Sequence, residues 1–341
     1  MPRAPRRPAR TVFFGSGAFA VPVLEALIRA PEVLVTGVVS APDRPVGRGG
    51  ATSATPVARR ARELGLRLLQ PPGIRSPEVV ATIAALEPDL GVLADYGRIV
   101  PQALIDVPPL GILNVHPSLL PRHRGATPVP ATILAGDAVA GVTLIRMDAG
   151  LDTGPIVAAQ AWPLAGTETG PELEERAAAA GAALLERSLR GWLDGTLVPS
   201  PQPAEGATLT RPLRREDGRL DPSRPAAELA RRVRALQPWP GSFVESSAGR
   251  LVVWRATAAG PDGDRPESAA PSGPESAWPA RPGPEAAPSE PGRLVAHGRG
   301  LALVTSAGLL VLEEVQLAGR RRVGSEEFVR GHPQVVGGSV R

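Results

Sequence analysis

Through the first 165 residues, short and nearly continuous apolar runs alternate with segments whose apolar residues recur at helical spacing. The strand-like runs fall at Thr11 to Phe14, Val33 to Ser40, Leu66 to Leu69, Leu90 to Ala94, Ile112 to His116 and Val142 to Met147. Between them, "AVPVLEALIRA", "TPVARRARELG", "SPEVVATIAALEP" and "ATPVPATILAGD" keep a helical period, several opening on Ser or Thr and closing on Gly or Pro. A strand that is apolar along its whole length has to be covered on both faces, as in a parallel sheet flanked by helices. The alternation therefore predicts an α/β, Rossmann-like doubly wound domain with a mostly parallel sheet. Its crossovers should be right-handed, and its ligands should bind beyond the carboxyl ends of the strands.

A longer helical segment, "GPELEERAAAAGAALLERSLRGWLDG", is expected to close this domain, which then spans residues 11–197 behind a disordered basic stretch at 1–10. "VPSPQPAEG" reads as a linker within 198–211. From residue 212 a helix in "PAAELARRVRALQP" precedes short strand-like runs at Arg250 to Trp254, Gly292 to Ala296, Leu301 to Thr305 and Leu309 to Leu317. Such runs between Gly turns predict a small C-terminal β-barrel, OB-like, over 212–341. Residues 259–291 are rich in Pro, Ala, Ser, Gly and Glu and are expected to be a disordered insertion.

Composition removes several chemistries. The 341 residues include no cysteine, which excludes disulfides, thiolate metal sites and cysteine nucleophiles, and fits a reducing compartment. All 38 basic side chains are arginine, so no lysine is present to form a Schiff base. A net charge of +4 permits an acidic partner without demanding one. In the opening "MPRAPRRPARTVFFGSGAFAVP", the apolar patch Val12 to Phe14 is stopped by Gly15, Ser16 and Gly17. An export signal needs roughly 7 to 15 apolar residues. No run approaches the roughly 20 of a membrane span.

Three stretches carry chemistry. "GSGAFA" places Gly15, Gly17 and Ala20 in a G-x-G-x-x-A pattern after the first strand, which leaves an NAD(P)-binding oxidoreductase as one reading. The ribose-holding acid expected at the end of the second strand is missing, since that run ends in Val39 and Ser40. In "GILNVHPSLLPRHRG", Asn114 and His116 project from one face at a strand's carboxyl end, where an amide and an imidazole can donate to a developing oxyanion. In "RMDAGLDTGPI", a Gly-punctuated turn offers Asp148 and Asp152; Asp152 is the expected partner of the imidazole, with Asp148 capping the turn. His116, His123 and Asp152 match no familiar metal-ligand spacing, and Ser118 lacks a G-x-S-x-G turn.

Taken together, "NVHPSLLPRHRG" and "DAGLDTG" resemble the paired signature of the 10-formyltetrahydrofolate-dependent formyltransferases. "APDRPVGRG", "ADYGRIVP" and "ALQPWPGS" are similar to the branch of that family whose acceptor is initiator methionyl-tRNA. The resemblance implies transfer of the formyl group of 10-formyltetrahydrofolate to a methionyl α-amino group, without a metal. It implies Asn114 and His116 as oxyanion donors, Asp152 as support for His116 and proton traffic, and Ser118, Leu119, Leu120 and Pro121 as the folate-side wall. Arg44, Arg48, Arg122 and Arg124 would be tRNA contacts. Two departures stand out: no lysine follows Arg48, and His123 replaces an aromatic residue that commonly lies between the two arginines. The chain is expected to act as a cytoplasmic monomer. Rival readings are an amino-sugar nucleotide or other small amine as acceptor, and a nucleic-acid-binding module with a dead catalytic fold.

Overall fold

The computed structural model describes residues 7–46, 51–260 and 290–340 and turns the apolar runs of the first half into strands. In chain order come β1 (Ala9–Gly15), α1 (Ala20–Arg29), β2 (Val33–Val39), β3 (Arg44–Val46), β4 (Ala51–Ser53), α2 (Pro56–Glu63), β5 (Leu68–Leu69), α3 (Pro77–Ala84) and β6 (Leu90–Ala94). There follow α4 (Gln102–Ile105), β7 (Ile112–His116), β8 (Arg124–Gly125), α5 (Pro128–Ala135), β9 (Val139–Arg146), β10 (Ile156–Pro163), α6 (Gly170–Leu193) and β11 (Leu209–Thr210). Thr55 and Ser76 cap α2 and α3 through their hydroxyls, and each is followed by a proline in the first helical turn.

Seven strands pair in the order β10-β9-β7-β6-β1-β2-β5. The five from β7 to β5 run parallel, while β9 is antiparallel to β7 and β10 to β9. On one face Val12, Phe14, Leu93 and Ile112 share a core with Ile83 of α3 and with Leu104 and Ile105 of α4. On the other face α6 approaches β7 so closely that a Cβ on Gly181 would lie 2.6 Å from Val115 Cγ1. Gly15 pairs with Ala94 and Leu93 with Asn114, so β1, β6 and β7 end nearly level.

Sequence signals miss β10, whose "IVAAQAWP" is mostly small or polar and is half-exposed along much of its length. They also understate 198–211. Ser200 and Ile156 exchange backbone hydrogen bonds of 2.7 and 2.8 Å, and β11 pairs with β8, so the stretch read as a linker is bonded into the first unit. At the start, Arg7 meets Asp89 at 2.9 and 3.0 Å and β1 begins at Ala9, ahead of residue 11. Residues 1–6 of the expected disordered stretch lie outside the described residues.

The first of two units extends to Pro212; the second runs from Leu213 and also takes in Ile133–Gly136 and Gly166–Pro171. It contains α7 (Ala226–Ala235), β12 (Ser242–Ser246), β13 (Gly249–Ala259), β14 (Leu294–His297), β15 (Gly300–Val304), β16 (Leu309–Leu317), β17 (Arg322–Gly324) and α8 (Ser325–Gly331). The sheet is antiparallel throughout, in the order β12-β13-β16-β15-β14 with β17 on β16, as expected of a small β domain. Register shifts either side of Arg255 mark bulges in β13. Leu229 and Val233 of α7, Leu251 and Val253 of β13, Leu310 of β16 and Phe328 of α8 share its single core. Of the expected insertion 259–291, residues 261–289 lie outside the described residues.

Candidate active site

β7 ends in Asn114 and His116, only 6% and 4% exposed, on the same face as Ile112. Buried polar groups of this kind need partners. His116 finds one in the His123 carbonyl, and the partner of Asn114 comes from the loop after β9. Because β9 runs antiparallel to β7, that loop leaves beside Ile112, where the Met147 N–H donates to the Ile112 carbonyl at 2.8 Å. It then doubles back and carries Asp152 to the two side chains. Asn114 Nδ2 donates to Asp152 Oδ1 at 3.1 Å; Oδ2 accepts the Gly125 N–H at 2.8 Å and lies 3.6 Å from His116 Nδ1. The other aspartate of the turn does a different job: Asp148 Oδ1 accepts the Gly150 N–H at 3.1 Å and the Thr153 hydroxyl at 2.7 Å.

Asp152 is held at φ +54°, a left-handed conformation that Asp tolerates better than most residues. Gln202 braces it. Its Nε2 donates to the carbonyls of Asp152 and Gly154, both at 2.7 Å, while its Oε1 accepts from Arg124 Nε at 3.1 Å and Nη2 at 2.7 Å. No sequence pattern flags Gln202, which lies in the stretch read as a linker.

His116 sits between two acceptors, with Nε2 3.0 Å from the His123 carbonyl and Nδ1 facing Asp152. The carbonyl can only accept, so Nε2 is the donor there and Nδ1 is the nitrogen turned to Asp152. At 3.6 Å the Nδ1 edge makes no hydrogen bond with Asp152, so this is the edge on which a reacting group can intervene. An amide donor, an imidazole edge and a carboxylate thus converge from two distant stretches, which suits oxyanion stabilisation and proton transfer.

The remaining expected site residues are placed unevenly. Ser118 and Leu120 face inward, 1% and 8% exposed. The Ser118 hydroxyl donates to the Arg122 carbonyl at 2.7 Å, and the Leu120 N–H to Thr143 Oγ1 at 3.1 Å. Leu119 and Pro121 are half-buried. Arg44 is exposed on β3, and Arg48 lies outside the described residues. Arg122 pairs with Asp137 at 2.5 Å, and Arg124 is engaged by Gln202. The His123 ring is taken up by Asp137 at 2.7 Å. Among the described residues, no group of three or more His, Asp or Glu side chains is disposed to hold a metal ion.

The structure removes the dinucleotide reading of "GSGAFA". Ser16 and Gly17 both donate their N–H groups to the Asp95 carbonyl, at 2.9 and 3.2 Å, so the amides that would cradle a pyrophosphate are already occupied. The Asp95 carboxylate crowds the same turn, since a Cβ on Gly17 would lie 1.6 Å from its Oδ2. Although solvent reaches Asp95, the surrounding protein desolvates it, and with the nearby Glu174 charge this raises its carboxyl to about 7. Sequence reading missed Asp95; its signal is an acid immediately after β6 in "LADYG".

Residues 9–189 match the formyl transferase family, and residues 212–333 match the formyl transferase C-terminal domain. The chain belongs to the formyl transferase family. This formyl transferase is 42% identical over 322 residues to the methionyl-tRNA formyltransferase of Roseiflexus castenholzii, covering 94% of this chain and 96% of the relative. It is 39% identical over 330 residues to the methionyl-tRNA formyltransferase of Symbiobacterium thermophilum, covering 96% and 94%. Solved structures share its fold. An N-formyltransferase from Helicobacter canadensis, in complex with folinic acid and dTDP-3-aminofucose, superposes with a TM-score of 0.59 at 14% identity, over 89% of this chain and 99% of that one. A sugar N-formyltransferase from a Shewanella species gives 0.55 at 17% identity, over 72% and 96%.

Proposed function

We propose that this formyl transferase moves the formyl group of 10-formyltetrahydrofolate to the α-amino group of methionine on initiator tRNA. The observation that carries the reading is the convergence of Asn114, His116 and Asp152 at the carboxyl end of β7, in a chain that matches methionyl-tRNA formyltransferases along nearly its whole length. The neutral amine attacks the formyl carbon, a C–N bond forms, and the bond from that carbon to the folate nitrogen breaks once that nitrogen is protonated. An α-amino group has a pKa of about 7.7 to 8.0, and the adjacent ester lowers it, so no strong base is needed near neutrality.

What the chain must supply is position and charge stabilisation. The second hydrogen on Asn114 Nδ2 is the donor for the oxyanion, and the Nδ1 edge of His116 supplies a further donor. Asp152 accepts from Asn114, stands beside His116 Nδ1, and relays the proton that the amine loses to the departing nitrogen. Leu119 and Pro121 are the members of the folate-side wall with surface to offer, while Ser118 and Leu120 shape their turn. Arg44 is the tRNA contact favoured by its exposure. We further propose a cytoplasmic monomer; the absence of cysteine suits a reducing compartment, and among the described residues no helix is long and apolar enough to cross a membrane.

Incubation with 10-formyltetrahydrofolate and charged initiator tRNA, followed by mass analysis of the released amino acid, tests substrate and reaction together. Formylmethionine is the expected product. Faster transfer to a nucleotide-linked amino sugar would move the chain to the rival acceptor class, and binding of tRNA without transfer would make it a binding module.

A further inference from the structure

His123 adopts φ +58°, a left-handed conformation that residues with a Cβ disfavour. Its surroundings hold it there. The ring Nε2 meets Asp137 Oδ2 at 2.7 Å, and Asp137 is fixed in turn by Arg122 at 2.5 Å. The His123 N–H donates to Thr208 Oγ1 at 2.8 Å, and the next residue's N–H donates to the Thr208 carbonyl at 2.9 Å. The ring is buried, at 6% exposure for the residue. All of this fixes one carbonyl, the His123 oxygen, 3.0 Å from Nε2 of His116.

From this geometry we propose that His123 is a positioning residue for the transfer reaction. Its imidazole, clamped by Asp137, holds its own carbonyl against His116 Nε2 and so dedicates the Nδ1 edge of His116 to Asp152 and the substrates. An acceptor at Nε2 settles which nitrogen carries the obligatory proton and which way the ring lies. Without the ring's bond to Asp137, only the backbone bonds to Thr208 oppose the cost of the left-handed turn, and it relaxes toward an ordinary backbone conformation. The carbonyl then swings off His116, and Nε2 competes with Nδ1 for the Asp152 side. His123 touches no substrate in this scheme. The inference rests on the proposed transfer only for its kinetic consequence; the state of the His116 ring is readable without turnover.

The test is nitrogen-15 NMR of the histidine rings in the full chain, which has only four histidines, alongside steady-state kinetics. In the wild type, His116 should show a hydrogen-bonded Nε2–H that exchanges slowly with water. His123→Ala should lose that signature and lower kcat by about 10-fold or more, with KM for folate and for charged tRNA changed less than threefold. His123→Gln puts an amide N–H near the position of the lost ring Nε2–H, and should restore both the signature and most of kcat. A thermal melt of each variant separates loss of fold from loss of positioning. A folded His123→Ala protein that keeps the Nε2–H signature and wild-type kcat would overturn the inference and leave the transfer reaction standing. A wild type with the signature but no formyl transfer would instead sink the functional reading and leave the ring geometry intact.

Discussion

Single residues at this site do more than one job, and the buried ones show it most clearly. Asp152 receives Asn114 and the Gly125 N–H while standing 3.6 Å from His116, so its carboxylate organises donors from both sides. Asp95 is the opposite case, a carboxylate with its carboxyl raised from an ordinary 3.8 to about 7, by desolvation first and the Glu174 charge second. The folded protein therefore binds this proton more tightly than the unfolded chain does. That contribution is fully present below about pH 4, shrinks as pH rises, and is gone once pH passes the folded value. Asp95→Asn should leave Tm unchanged near pH 4 and raise it at pH 8, as read by thermal melts across that range. An equal gain at both pH values would mean that packing, not ionisation, governs the site. Asn114, His116 and Asp152 were legible in the sequence because each stands beside a turn at the end of an apolar run. Their bracing residues were not. Asp137, Gln202 and Thr208 are polar residues in turn-rich stretches, and their partners lie up to 85 residues away, so no local period records them.

Secondary elements decide where those residues meet. β1, β6 and β7 could be read from their nearly continuous apolar residues because both of their faces are covered. β10 could not, since an edge strand of small and polar residues lacks that pattern, and the antiparallel turn of β9 was likewise invisible. That turn matters for function: it sends the 147–155 loop back to β7 and not onward past the sheet. The loop is then tied at its far side by Gln202 and at Gly154, where a Cβ would come within 1.9 Å of the Arg146 carbonyl. Gln202→Ala removes two donors to that loop and the acceptor for Arg124, and should destabilise the protein by about 1–3 kcal/mol. With Asp152 no longer braced, kcat should fall about 10-fold. Chemical denaturation and turnover measured together check this; loss of stability with full kcat would show that Asp152 is held without Gln202.

At the scale of the molecule, the two matched segments account for the two units, one carrying the Asn114, His116 and Asp152 cluster and the other an antiparallel β domain. The surplus of positive charge is small and many arginines are already paired: Arg255 meets Glu313 and Arg250 meets Glu245 within the second unit. The proposed recognition of a charged tRNA would then rest on particular exposed arginines, with Arg44 as a candidate, and not on a large excess of positive charge. The proposed chemistry depends on the cluster of Asn114, His116 and Asp152. Its most direct test is kcat for formylation of methionyl initiator tRNA by Asn114→Ala at saturating 10-formyltetrahydrofolate, with folate affinity measured in parallel. Loss of the oxyanion donor should lower kcat by about 100- to 1000-fold while folate affinity stays within threefold of the wild type. A variant that turns over within a few-fold of the wild type would show that the transferred carbon does not pass through this site.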